Sequence, residues 1–118
     1  MTKMKLLTGL VLIVAIISCN SSDGSGKKTN PNIDGAGLFA TNCASCHKCD
    51  VDFTGPALKG AASRWKDKAL MYEFMRNPFG VIQKDAYAAG LFKKYNAVMT
   101  PTTLTDEQID AVLEHCNN

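Results

Sequence analysis

The strongest constraint on the fold of this chain is the sequence C-A-S-C-H at residues 43–47. Two thiols three positions apart, followed at once by an imidazole, are typical of a redox-active dithiol, a zinc site or a covalent haem attachment. A redox dithiol of thioredoxin type needs alternating strands and helices, which this sequence does not indicate. A zinc site needs four ligands, so Cys49 or Cys116 would have to complete it.

Covalent haem attachment accounts for the spacing most directly. Cys43 and Cys46 can each add to one of the two vinyl groups on one edge of a porphyrin, and His47 then lies beneath the iron as the proximal ligand. In a zinc site, by contrast, Cys46 and His47 would bind one tetrahedral ion as sequence neighbours, which strains the chain. The sequence therefore predicts one covalently bound haem c.

The beginning of the chain indicates export. Two lysines precede an apolar run at residues 6–17, which is shorter than the roughly 20 residues that span a bilayer. The sequence I-I-S-C at residues 16–19 resembles a lipobox, where bacterial processing lipidates the cysteine and cleaves the chain before it. We therefore expect residues 1–18 to be a lipoprotein signal peptide and Cys19 to carry a membrane-anchoring lipid.

A polar segment separates the lipid from the folded domain. Residues 20–32 contain no aliphatic or aromatic side chain, so residues 19–32 are predicted to be a flexible tether and residues 33–118 the domain. Removing the leader with its two lysines leaves as many basic as acidic residues, which argues against binding to nucleic acid. We expect an extracytoplasmic protein on the periplasmic side, lipid-anchored to a bacterial membrane.

The domain is predicted to be all-α, with three to four short helices. Apolar residues recur at helical spacing, no strand alternation is found, and the sequence T-D-E-Q at 105–108 fits a capping box. The expected helical segments are residues 34–42, 67–77, 84–95 and 105–116. A domain of this size has a thin core, which is consistent with a cofactor at its centre.

A second iron ligand is expected from Met99, which lies in a loop immediately before the last helix. A thioether on a loop can reach the second face of the iron. Met71 and Met75 are rivals, but their spacing on a helix predicts that they lie in the core. His115 would give a bis-histidine iron, but it lies one position off the apolar stripe of its helix and is expected to be exposed.

With these parts the chain resembles a class I c-type cytochrome, in particular the small monohaem lipoprotein type of bacteria. Besides the haem sequence and Met99, the resemblance rests on L-F at 38–39, G-P-A-L at 55–58, R-N-P at 76–78 and the last helix. It implies a cytochrome c fold around one haem. It also implies these roles: thioethers from Cys43 and Cys46, axial ligation by His47 and Met99, and a Pro56 carbonyl that accepts the other ring N–H of His47.

The resemblance also bears on the two remaining cysteines. In this family the first and last helices cross near the haem edge, where Cys49 and Cys116 can meet, and an oxidising compartment permits a disulfide. A Cys49–Cys116 disulfide is therefore implied, with two buried free thiols as the alternative. Candidates for a hydrogen bond to a haem propionate are Trp65, Tyr72, Tyr87 and Tyr95.

The implied function is the transfer of single electrons rather than catalysis, because an iron with six ligands offers no position for a substrate. We expect a monomer that exchanges electrons with redox protein partners: a respiratory complex, an oxidase or a reductase. Two alternatives stay open. One is a haem-based sensor or peroxidase in which Met99 detaches, and the other is an electron-entry subunit of a larger oxidoreductase.

Overall fold

The computed structural model describes residues 29–118, so the expected signal peptide, Cys19 and most of the tether lie outside the described residues. The described part is all-helical, as predicted, and contains no strand. Its elements are α1 (Gly35–Asn42), a 3₁₀ helix (Ala61–Arg64), α2 (Lys68–Arg76), α3 (Pro78–Ile82), α4 (Ala86–Tyr95) and α5 (Asp106–Asn117). Within residues 29–118 no helix has the length and apolar character that crossing a membrane requires.

Side chains that accept backbone hydrogen bonds define where the helices begin. Asp34 and Asp67 each accept from the N–H three residues further on, and α1 and α2 start directly after them. Thr105 and Gln108 form the reciprocal capping box that the sequence predicts at the start of α5. These local signals place three of the helix starts correctly.

The expected helix over residues 67–77 ends within one residue of its predicted end, but the expected segments leave out residues 78–83, and this omission is wrong. The helix α2 does end at Arg76, but Pro78 is the first residue of a further short helix, α3. Proline is well tolerated at a first helical position, because the N–H that it lacks has no helical acceptor there. The side chain of Asn77 caps α3 by accepting from the Gly80 N–H at 3.1 Å.

The expected start of the next helix at Lys84 is also wrong by two residues. The helix α4 begins at Ala86, because Asp85 takes the N-cap position and accepts a hydrogen bond from Ala88 at 2.8 Å. With α3 and the 3₁₀ helix, the described chain has more helical elements than the three to four expected.

The first and last helices cross in direct contact. A Cβ atom at Gly35 would overlap the backbone carbonyl of Ala111, so the absence of a side chain lets the α1 and α5 backbones touch. The apolar stripe of α5 forms the main buried cluster together with Leu58 and the fully buried Met71. The stripe residues are Ile109, Val112, Leu113 and Cys116.

A second buried cluster joins α2, α3 and α4. It consists of Phe74, Val81 and Ala88, and Met99 packs against it with its side chain partly buried. Residues of both clusters line a common cavity, which therefore lies between them.

Candidate functional site

Two adjoining cavities of about 340 and 290 Å³ occupy the middle of the domain. Cys43, His47 and Met99 line both of them, and most of the other lining residues are apolar. The fold thus brings the C-x-x-C-H sequence and Met99, which are far apart in the chain, to the walls of one shared space.

The position of the His47 ring is fixed by a hydrogen bond from one ring nitrogen, and a glycine beside the ring leaves space for it. The Nδ1 atom lies 2.8 Å from the carbonyl oxygen of Pro56. Because a carbonyl only accepts, Nδ1 carries the proton and Nε2 keeps the lone pair that can bind a metal. A Cβ atom at Gly55 would lie 2.5 Å from the imidazole Cε1, so only glycine leaves room for the ring in this position.

The chain around His47 forms a closed loop. Three backbone N–H groups donate to carbonyls near the start of the loop: Gly55 to Cys46 (2.8 Å), Leu58 to Lys48 (3.0 Å) and Lys59 to Cys49 (2.8 Å). A disulfide joins Cys49 of this loop to Cys116 of α5, with 4.8 Å between the two Cα atoms. The loop is therefore tied both to itself and to the last helix.

The two thiols that precede His47 are free and face the same space. Cys43 is half-buried and lines both cavities, whereas Cys46 is exposed and lines the smaller one. Burial raises the pKa of the Cys43 thiol. Two thiols and one imidazole beside an apolar space are the donor set that covalent haem attachment requires, so the residues present fit this cofactor.

The alternative sites considered for the cysteines do not fit the fold. In the part of the chain that the structure describes, no group of three or more His, Cys, Asp or Glu side chains is arranged to hold a metal ion. The disulfide removes Cys49 and Cys116 as zinc ligands. The described residues also lack the strands that a thioredoxin-type dithiol needs.

Met99 lies in a segment that follows a sharp change of chain direction. Asn96 ends α4 in the left-handed conformation, with φ 51°, which asparagine tolerates better than most residues. After the segment, the Thr102 N–H donates to the Met75 carbonyl at 2.8 Å. Met99 is thereby delivered to the cavity wall between two fixed points of the backbone.

The rival ligands have different surroundings. Met71 is fully buried in the main cluster, as expected of a core residue. Met75 is only partly buried and lines the larger cavity, so the expectation that it serves the core alone is incomplete. His115 is exposed, as expected, and its ring lies 5.6 Å from that of Phe39, outside the linings of both cavities.

Two of the four propionate candidates have other hydrogen-bond partners. The Tyr72 hydroxyl donates to Asp110 and the Tyr95 hydroxyl donates to Asp52, each at 2.7 Å. These two tyrosines therefore stabilise contacts within the protein.

The other two candidates, Trp65 and Tyr87, line the larger cavity and meet edge to face at 4.9 Å. Sequence reasoning missed Arg64, which lines the same cavity and donates from its guanidinium to the Lys59 carbonyl at 2.9 Å. The sequence did offer one indication of its role, because Arg64 is a cation directly before Trp65, which was itself a propionate candidate.

Comparison with known proteins gives one family. The family model described as cytochrome c matches residues 32–117. A cytochrome c from Rhodothermus marinus is 33% identical, with a TM-score of 0.60 over 71% of this chain and 74% of its own. An engineered cytochrome c from the same organism is 29% identical, with a TM-score of 0.63 over 80% of this chain and 85% of its own. That engineered protein with a bound carbene intermediate gives a TM-score of 0.60. A search of curated proteins found no significant match.

Proposed function

Since this chain belongs to the cytochrome c family and is a haem electron carrier, we propose that it passes single electrons between redox proteins at a bacterial membrane. Its one covalently bound haem c supplies reversible one-electron chemistry. The residues of the chain hold the cofactor, exclude water and fix the axial ligands. The observation that carries the proposal is that His47 and Met99 line the same two apolar cavities.

We assign the thioether bonds to Cys43 and Cys46 and the axial ligands to Nε2 of His47 and the sulfur of Met99. The free thiols beside the cavity and the Nδ1 bond to Pro56, which leaves Nε2 available, support this assignment. With His47 and Met99 both bound, the iron would have no open position for a substrate. This arrangement favours electron transfer over reactions with a bound substrate.

The walls of the site favour the reduced state. Phe74, Leu91 and Met99 contribute apolar surface to both cavities. An apolar shell disfavours the additional positive charge of the oxidised iron, and methionine ligation acts in the same direction. We therefore expect a higher potential than that of an iron held by stronger donors in a more polar site.

Partners would dock where the attachment sequence reaches the surface. Ser45 and Cys46 are exposed and line the smaller cavity, and Lys48 beside them is also exposed. Small and weak contacts at such an edge allow the rapid turnover that a carrier needs. A lipid on Cys19 would keep the carrier close to membrane complexes by raising its effective concentration.

The axial ligands are tested by comparing the near-infrared absorption of oxidised wild-type protein with that of Met99→Ala. We expect the methionine–iron(III) band in the wild type and its loss in Met99→Ala. The matched control is Met75→Leu, because Met75 also lines the larger cavity but is not assigned as a ligand. A wild type without the band, or a variant that keeps it, would contradict the assignment of Met99.

Two further measurements separate this function from the alternatives. Slow binding of carbon monoxide to the reduced wild type is expected of a carrier, whereas rapid binding at neutral pH would favour a sensor or peroxidase. Isolation as a monomer is likewise expected, whereas copurification with a stoichiometric catalytic subunit would favour an electron-entry subunit.

The lipid anchor is tested with Cys19→Ser in the exporting host. We expect the intact mass of the wild type to show a chain that begins at an acylated Cys19, and that of the variant to show an unacylated chain that keeps residues 1–18. A wild type whose mass shows no acyl group on Cys19 would contradict lipidation there.

A further inference from the structure

Asp52 lies in the loop that carries His47 and accepts three hydrogen bonds. Its Oδ1 atom accepts from the Ala57 N–H at 3.0 Å. Its Oδ2 atom accepts from Lys94 Nζ and from the Tyr95 hydroxyl, each at 2.7 Å. The first bond stays within the His47 loop, whereas the other two reach α4, more than 40 residues away in the sequence.

The bond to Ala57 connects Asp52 to the ring of His47 through one peptide group. The N–H that Asp52 accepts belongs to the same peptide unit as the Pro56 carbonyl, and that carbonyl accepts from Nδ1 of His47. A negative charge at the N–H end polarises the peptide and makes its carbonyl a stronger acceptor. A stronger acceptor on Nδ1–H makes the imidazole a more electron-rich metal ligand.

The bonds to Lys94 and Tyr95 connect Asp52 to the segment that carries Met99. These two residues are the last of α4 and directly precede the left-handed turn at Asn96. Among the described residues, the backbone of 97–101 takes part in no hydrogen bond with other backbone groups outside the helices. Its position therefore depends on its two ends, of which one is fixed through Asp52 and the other through Thr102.

We propose that Asp52 is a positioning residue for both axial ligands: it polarises the peptide that binds His47 and fastens the Met99 segment to the His47 loop. This inference rests on the proposed assignment of His47 and Met99 as ligands. The hydrogen bond from Lys94, followed by those from Ala57 and Tyr95, holds the pKa of Asp52 well below its usual range. Asp52 is consequently ionised at neutral pH, as its role requires.

The effect on His47 is tested by redox titration of the holoprotein carrying Asp52→Asn. The matched control is Asp50→Asn, which removes the same charge from the same loop but only loses an exposed pair with Lys59 at 3.4 Å. At a fixed potential, each variant has its own ratio of reduced to oxidised protein. We expect this ratio to be about fivefold higher in Asp52→Asn than in the control. Equal shifts in the two variants would overturn this part, because charge alone would then explain the change.

The effect on Met99 is tested from the α4 side, where the His47 loop is left intact. Lys94→Met and Tyr95→Phe each remove one bond to Asp52. We expect amide hydrogen exchange at Thr102, whose N–H donates to the Met75 carbonyl at the end of the segment, and carbon monoxide binding to the reduced protein, to become about fivefold faster. The matched control is Glu73→Gln, which removes an exposed ion pair to Lys84 at 2.6 Å that does not touch the site. Rates equal to those of the control would overturn this part.

Failure of this inference can be told apart from failure of the proposed function. A wild type without the methionine–iron(III) band contradicts the Met99 ligation and with it the positioning of that ligand. If the band is present but exchange at Thr102 in Lys94→Met matches that in Glu73→Gln, the proposed function stands and the inference is wrong. In a double-mutant cycle, the effects of Asp52→Asn and Lys94→Met on the rate of carbon monoxide binding should be coupled. Additive effects would contradict the proposed link between the two regions through Asp52.

Discussion

The loop that carries His47 and the segment that carries Met99 face the same cavities, but they are fixed in different ways. The His47 loop has three internal backbone hydrogen bonds, a close glycine contact and a disulfide to α5. The Met99 segment is fixed at its ends, by the Tyr95 contact and by Thr102. Because the free energy of local opening grows with the contacts that must break, the Met99 side should open first.

This difference suits a carrier whose cofactor is bonded to the chain on the His47 side. The thioethers assigned to Cys43 and Cys46 and the three loop hydrogen bonds lie on one side of the site. The Met99 side contributes a ligand and an apolar wall, and Met99 packs against the second buried cluster. Changes to the two regions should therefore differ in size and in the property that they affect.

The largest expected effect is loss of the disulfide that ties the His47 loop to α5. Replacing both Cys49 and Cys116 by serine releases a loop closed over a sequence separation of 67. We expect the free energy of unfolding to fall by about 4 kcal/mol in the loop-entropy model. Urea unfolding of the holoproteins measures this loss. Wild type in which the Cys49–Cys116 disulfide has been reduced serves as the second comparison. If the serine variant unfolds at the same midpoint as wild type with its disulfide intact, the disulfide does not stabilise the loop.

Gly55→Ala should disturb the His47 side next most strongly. The new Cβ would meet the imidazole, so we expect a loss of about 1–3 kcal/mol in unfolding free energy and a changed haem spectrum. The control is Gly90→Ala, since a Cβ at Gly90 meets nothing within 4 Å. Gly90 lies inside α4, so its replacement should stabilise the protein by about 0.5–1 kcal/mol. Two substitutions with the same sign would contradict the close contact at His47.

The features that sequence predicts well are those that residues close together in the chain determine. The Cys43, Cys46 and His47 spacing and the capping box at Thr105 each lie in one short stretch, and the structure forms the capping box where the sequence predicts it. The helix that begins at Pro78 is harder to predict, because proline follows the end of one helix as readily as it begins another, and the Asn77 cap decides that it does both here.

The features that sequence reasoning missed depend on residues that are distant in the chain. Asp52 is one of two acidic residues in the loop that carries His47, and nothing near it in the sequence indicates that Lys94 and Tyr95 bind it. Likewise, the lining of a cavity by Met75 follows from how α2 packs and not from the spacing of its apolar residues. Helical spacing shows which face is buried, but it does not distinguish a core from a cofactor cavity.

The turn at Asn96 offers a smaller change on the Met99 side. Asn96→Ala should cost about 1 kcal/mol, because alanine is strained in the left-handed conformation, whereas Asn96→Gly should be nearly neutral. Urea unfolding measures the loss, and amide exchange at Thr102, whose N–H donates to the Met75 carbonyl, measures local opening of the Met99 segment. We expect exchange in Asn96→Ala to rise there while the His47 loop keeps its protection. Equal increases in both regions would show that the two sides do not open separately.

The smallest expected effect is the weakening, in acid, of the hydrogen bonds by which Asp52 joins the two regions. The folded state holds the pKa of Asp52 below the value of about 3.9 that an unfolded chain has. A depressed pKa contributes stability that is present above the unfolded value and is lost as pH falls through the folded one. Lys94 stays protonated and Tyr95 stays neutral in this range, so Asp52 is the member of the cluster that titrates.

The wild type should therefore keep the exchange protection of Thr102, whose N–H donates to the Met75 carbonyl, near pH 4 and lose part of it only in stronger acid. Asp52→Asn should show faster exchange already at neutral pH and no such acid step, whereas Glu73→Gln should follow the wild type. The step is expected to be small because the Asp52 side chain is about half exposed and water screens its partners. Exchange measured from pH 7 downward tests this, and parallel curves for wild type and Asp52→Asn would show that Asp52 does not join the two regions.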